Sequence, residues 1–323
     1  MTRRVGHLLL ALALSACSSN KSSTNDGSTI GKGVDVETMR PPEAAQVVRE
    51  FQDAYGLPPV APPGTPVTSM AQVLQIIRED RLPEFEKARR FAAGRQGAEA
   101  LTLRAYLDLS YAGALMTAAY ILEEERRQDL TELRQLQQAR PLEDPAGSKE
   151  DQARVAQLNA KTADLRKVVR ALRVLSEEPL RSGSDLAEQA IRQDPTAQLA
   201  YLANANYFRL RGQWLEYDRM MRYADEGAEQ PPVKTYLKAM EAFERYVDPR
   251  RAEQLLKQTL SQSPSFVRAQ ANLVLIDEGT VAKHEELQRL KAMSPNHLVV
   301  RLAGPMIEEE YRTTQELDSA FGR

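Results

Sequence analysis

Across positions 149–178, Val155, Leu158, Thr162, Leu165, Val169 and Leu172 recur at spacings of 3, 4, 3, 4 and 3. That is a heptad seam with one polar member. Upstream, positions 98–140 contain no proline and one internal glycine, Gly113, and place Leu122, Leu130, Leu133 and Leu136 on a matching surface. PLEDPAGS, positions 141–148, separates the two segments as a turn. The pattern predicts a long antiparallel helical hairpin over 98–178, projecting from the body. Intermolecular coiled-coil pairing is the alternative, which the short turn disfavours. Some forty helical residues extend about 60 Å.

On the N-terminal side, Ala44, Val47, Val48, Phe51 and Tyr55 fall at helical spacing before Gly56. Positions 57–68 then hold five prolines, which no helix or central strand tolerates. They read as an extended strap laid on the body, with a docking strip for a proline-binding partner as the alternative. Ser69 is placed to cap a helix carrying Val73, Leu74, Ile76 and Ile77, which is expected to break at Leu82-Pro83 and restart.

Composition supports helices throughout. Aromatics are only 6% of the chain, while Ala, Leu, Glu, Gln and Arg, the residues of high helix propensity, recur. The balance of 43 Lys plus Arg against 45 Asp plus Glu supplies no field that argues for nucleic acid. Cys17 is the only cysteine and the histidines are His7, His284 and His297, a poor stock for a thiolate cluster, a zinc site or a serine triad.

The N-terminus carries a different signal. Arg3 and Arg4 precede an apolar run at 8–14, and small residues follow it, in the order of a secretory signal. The run is too short to span a bilayer, which takes about 20 apolar residues. Leu14-Ser15-Ala16-Cys17 resembles the lipobox of bacterial lipoproteins. The resemblance implies a signal peptide over 1–16, diacylglycerol on the Cys17 thiol and acylation of the new terminus. Ser18 after the cysteine implies the outer membrane, with the protein facing the periplasm. Two or three acyl chains hold a protein stably where one binds marginally. Positions 17–40, rich in Ser, Gly, Asn and Thr, then read as the lipidated cysteine and its flexible tether, and 41–97 as N-terminal helices with a Pro-rich connector.

Beyond Ser182 the chain repeats itself. Tyr201 superposes on Tyr236, Phe208 on Phe243 and Ala224 on Thr259, each at a shift of 35, near the period of helix-turn-helix arrays. Tyr201, Ala205, Phe208, Gly212, Trp214 and Ala224, then Tyr236, Phe243, Ala252 and Pro264, resemble the tetratricopeptide repeat (TPR) family. Tyr217 and Met240 depart from it, standing where small residues are usual. A third unit ending at Pro295 is about three residues short, and positions 298–323 read as a polar-faced capping helix. Each helical pair has small residues where helices cross, Ala205, Ala224 and Ala239 being candidates, and needs its neighbours to complete a core. The expected fold is all-α, a TPR-like helical-repeat solenoid over 179–323 with the long hairpin over 98–178.

No Gly-rich phosphate loop, HExxH or GxSxG is present in the sequence, and no catalytic residue or metal ligand is assigned. The acidic runs 123–125 and 308–310 point in several directions around a helix and read as solvated faces. Trp214 is expected to pack between units, and His284 and His297 to be surface or turn residues. By resemblance, the concave face of a TPR array holds an extended peptide or a helix of another protein, and the side chains facing it would be Asn206, Arg209, Lys234, Glu241, Arg245 and Arg268. The expected function is a non-enzymatic, membrane-anchored scaffold for another envelope protein, with no nucleic acid and no cofactor besides the lipid on Cys17. The alternatives are a ligand-binding accessory of a periplasmic transport system and a cell-wall hydrolase.

Overall fold

The computed structural model describes residues 70–92, 97–138, 149–226 and 231–320, with backbone alone over 82–92. The signal peptide, Cys17, the tether, the 42–56 helix, the proline strap and the 141–148 turn lie outside the described residues. Within them the protein is all-helical, with no strand. The elements are α1 (Met70–Ala92), α2 (Ala98–Gln138), α3 (Lys149–Gln193), α4 (Gln198–Leu210), α5 (Trp214–Asp225), α6 (Pro232–Glu244), α7 (Pro249–Gln262), α8 (Val267–Ile276), α9 (Thr280–Met293), α10 (Leu298–Leu302) and α11 (Gly304–Ala320).

Helices α2 and α3 pack antiparallel along their length. Arg154 bonds Glu132, Lys161 bonds Asp129, Ser182 bonds Asp108, and Ala190 shares a cluster with Ala100. Each step up one helix is matched by a step down the other. The heptad residues Leu158, Thr162, Leu165, Val169 and Leu172 are buried in this seam.

The expectation that the whole of 98–178 projects is corrected. From Leu107 to Ala112 every residue of α2 is buried, as befits a helix surrounded on all sides. It touches α1, α3, α4 and α10, and Ser110 accepts from Arg268 of α8. The small and apolar run from Ala105 to Ala119 lets neighbours approach from several directions. Only the more polar part beyond Leu122 lacks that enclosure.

The break expected at Pro83 is also absent, since α1 runs through it. Likewise α3 runs through Pro179, so the expected boundary between 178 and 179 falls inside one helix. Proline removes a single backbone bond. Pro179 and Leu180 are both buried, so packing offsets that loss. The expected capping helix is divided at Ala303, with Pro305 in the first turn of α11, where a missing N–H costs least.

Helices α4 with α5, α6 with α7, and α8 with α9 form successive contacting pairs. Gly212 adopts φ +66° in the turn between α4 and α5, a conformation that glycine enters without a Cβ clash. Asp248 caps α7 by accepting from the Arg251 N–H at 3.0 Å, with Pro249 beginning the helix. Helix α8 is three residues shorter than α4 or α6, which places the shortfall of the third unit in its first helix. Ala205, Ala224 and Ala239 are fully buried.

One core joins α1, α2 and α3 to α8 through α11, including Ile77, Leu115, Leu172, Val274, Leu287 and Val299. A second lies among α4 to α8, around Leu202, Tyr217, Leu237 and Leu256. The Tyr217 hydroxyl donates to the Leu237 carbonyl at 3.1 Å. The large residue at this departure from the repeat pattern ties one pair to the next.

Candidate functional site

The six side chains expected to face a groove are largely engaged with their own molecule. Arg209 on α4 is 8% exposed and donates to Glu244 on α6 and to Asn206. Lys234, 1% exposed, places its Nζ 2.5 Å from the Asp225 carboxylate at the end of α5. Arg245 reaches Asp218 at 2.8 Å and Glu241 at 3.0 Å. Its guanidinium also lies 5.7 Å from the Trp214 ring centre and 5.2 Å from that of Tyr246, within cation–π range. Arg268 packs over Tyr106 at 5.0 Å and donates to Ser110. Three cations thus link elements within α4 to α6, and Arg268 joins α8 to α2. Trp214 packs edge-on against Tyr217 at 5.5 Å.

A second polar junction fastens α1. Arg81 donates to Ser110 at 3.0 Å, Arg301 to Glu79 at 2.7 Å, and His297 lies 3.8 Å from Asp80. His297 also caps α10, its Nδ1 accepting from the Val299 N–H at 3.2 Å. It is buried rather than exposed, but in the turn position expected. His284 stacks on Tyr311 at 3.9 Å. Glu308, Glu309 and Glu310 are exposed and bond Lys291, Arg312 and Thr280 in turn, in keeping with a solvated face.

Asp108 is a buried carboxyl with a raised pKa. It sits in the α2–α3 interface, 1% exposed. Burial pushes its pKa up to about 6, against a Ser182 hydroxyl that donates to it at 2.5 Å and the charge of Arg104, with Glu178 adding to the rise. Packed in an interhelical seam, it bears on stability.

Among the described residues, a shallow trough of about 440 Å³ lies along α2 and α3. Buried Val169 lies in its lining, with Arg166, Arg170, Arg173, Val174 and Glu177 from α3 and Glu123 and Arg126 from α2. Arg126 bonds Glu123 at 2.6 Å and Arg211 bonds Glu177 at 2.7 Å. Arg126, followed by Arg127 and Arg173, holds the Glu123 carboxyl below its ordinary range. Among the described residues, the exposed guanidinia of Arg166, Arg170 and Arg173 make no hydrogen bond or close ion pair, and Arg173 acts on Glu123 at longer range. Beside them Val174 is 66% exposed. Each of these arginines directly follows a seam residue, Leu165, Val169 or Leu172. The 4, 3 spacing is therefore present in the sequence as a stripe flanking the seam.

No protein-family model, curated protein or solved structure matches the chain. Among the described residues no helix is long and apolar enough to cross a membrane.

Proposed function

We propose that this is a bacterial lipoprotein, anchored in the outer membrane through Cys17, whose TPR-like helical body serves as a non-enzymatic scaffold for another envelope protein. The observation that supports a scaffold best is where the charges go. Arg209, Lys234, Arg245 and Arg268 tie separate helices together, while the α2–α3 trough keeps Arg166 and Arg170 without a partner among the described residues, beside the exposed Val174. In this reading the repeats build a stiff support and the partner meets the α2–α3 face, not the concave side of the pairs. The first helices of the pairs are themselves in contact with α2, which packs on Ala203 and Tyr207 of α4 and bonds Arg268 of α8.

The reading is tested in the cells that make the protein. Intact mass and membrane fractionation of wild type and Cys17→Ser are expected to show acyl mass and membrane retention in the first only. Crosslinking of the anchored wild type is expected to capture one envelope protein reproducibly. Unchanged retention of Cys17→Ser overturns the anchor, and absence of any specific capture overturns the scaffold.

A further inference from the structure

Three arginines on one helical stripe, none in a hydrogen bond or close ion pair and only Arg173 influenced by a trough carboxylate, are an electrostatic cost. Arg166 and Arg170 stand at i,i+4 and Arg170 and Arg173 at i,i+3, spacings at which like charges disfavour a helix by a few tenths of a kcal/mol each. Neighbouring cations on the same two helices do not share that state. Lys161 lies 2.8 Å from Glu125, Arg154 2.7 Å from Glu132 and Arg126 2.6 Å from Glu123.

We propose that the α2–α3 trough binds an acidic, amphipathic segment of another protein, its carboxylates on Arg166, Arg170 and Arg173 and an apolar side chain on Val174. This rests on the scaffold reading and names the chemistry of the partner. Guanidinium forks match carboxylates in geometry as well as charge, and two-point contacts fix orientation. From Arg166 to Glu177 the stripe extends about 16 Å along the axis, the length of about three helical turns of a partner. The volume of about 440 Å³ admits several side chains, in the range of ligand pockets. The concave shape and the two fixed carboxylates, Glu123 and Glu177, suit a segment that threads between them better than a continuous sheet of lipid phosphates, which both would repel.

The test uses the full-length acylated protein in neutral detergent. Two fluorescein-labelled fourteen-residue helical peptides serve as probes, both with leucine on one face, one with three glutamates on the other and one with glutamines instead. The proposal expects the glutamate peptide to bind about tenfold or more tightly than the glutamine peptide by anisotropy, with the preference shrinking as salt is raised. Arg166→Glu/Arg170→Glu/Arg173→Glu is expected to abolish that preference and the milder triple Gln variant to reduce it, the Gln variant with a thermal midpoint no lower than wild type because the positions are exposed and the like-charge repulsion is relieved. Equal affinity for the two peptides, or a preference that survives the triple Glu variant, overturns the proposal. So does a charge reversal that leaves peptide binding intact but removes binding to phosphatidylglycerol vesicles, which makes the trough a membrane contact. If in-cell capture of an envelope protein persists in the triple Glu variant, the trough proposal fails while the scaffold reading stands.

Discussion

Arg209 and Glu244 lie 35 residues apart, the same interval that superposes Tyr201 on Tyr236, and the guanidinium of one donates to the carboxylate of the other. Equivalent positions of successive helical pairs therefore touch each other. This makes Arg209 a link in the stack, and its substitution a matter of stability before binding. Arg209→Ala leaves Glu244 partly buried with its main counter-charge gone. Removing one partner of a fully buried pair costs about 3–5 kcal/mol. Glu244 retains 31% exposure, which lowers the expected loss to about 2–3 kcal/mol. Urea denaturation measures it, and Arg209→Met with Glu244→Leu is expected to recover most of the loss. A single variant as stable as wild type contradicts the link.

Gly183 and Gly113 should respond in opposite directions to alanine. Both lie within helices, where glycine is disfavoured relative to alanine by about 0.5–1 kcal/mol. A Cβ at Gly113 meets nothing within 4 Å, whereas one at Gly183 would stand 2.6 Å from Leu109 Cγ and 3.1 Å from the Ala105 carbonyl. Gly113→Ala is expected to raise stability by about 0.5–1 kcal/mol. Gly183→Ala is expected to lower it by about 1–3 kcal/mol, the usual cost of overpacking. Thermal midpoints of the two variants decide the matter.

The Asp108 carboxyl, with a folded pKa of about 6 against 3.8 for an ordinary aspartate, binds its proton more tightly in the folded chain. Its burial therefore costs nothing below about pH 4. The penalty grows as the pH rises to about 6 and is then constant, reaching up to about 3 kcal/mol from two units of displacement. Asp108→Asn keeps an oxygen for the Ser182 hydroxyl and loses the charge. It should match wild type near pH 4 and exceed it by about 1–3 kcal/mol at pH 8. Parallel stability profiles across that interval would contradict the assignment.

The seam of α3 was legible because its spacing alone fixes which side is buried. Leu158, Leu165 and Leu172 lie 7 apart, and all three are at most 2% exposed. The enclosure of α2 was harder to read. Its stretch from Ala98 to Leu122 mixes apolar and small residues around the whole helix, and the buried Asp108 and Ser110 imitate a polar face. Pro83 and Pro179 misled for a related reason: local propensity weighs one lost backbone bond, while tertiary packing decides whether the helix goes on. The candidate groove side chains were found at charged positions, but sequence does not show that Asp225, Asp218 and Glu244 lie opposite Lys234, Arg245 and Arg209.

The claim that the partner meets the outer α2–α3 face is tested most directly by site-specific photocrosslinking of the anchored protein in its own cells. A photoreactive phenylalanine analogue replaces Val174 in one strain, and Leu199 or Leu215, exposed aliphatics on α4 and α5, in two others. The account predicts capture of one envelope protein from position 174, through an acidic segment identified by mass spectrometry, and little from 199 or 215. Capture from 199 or 215 with none from 174 would contradict it.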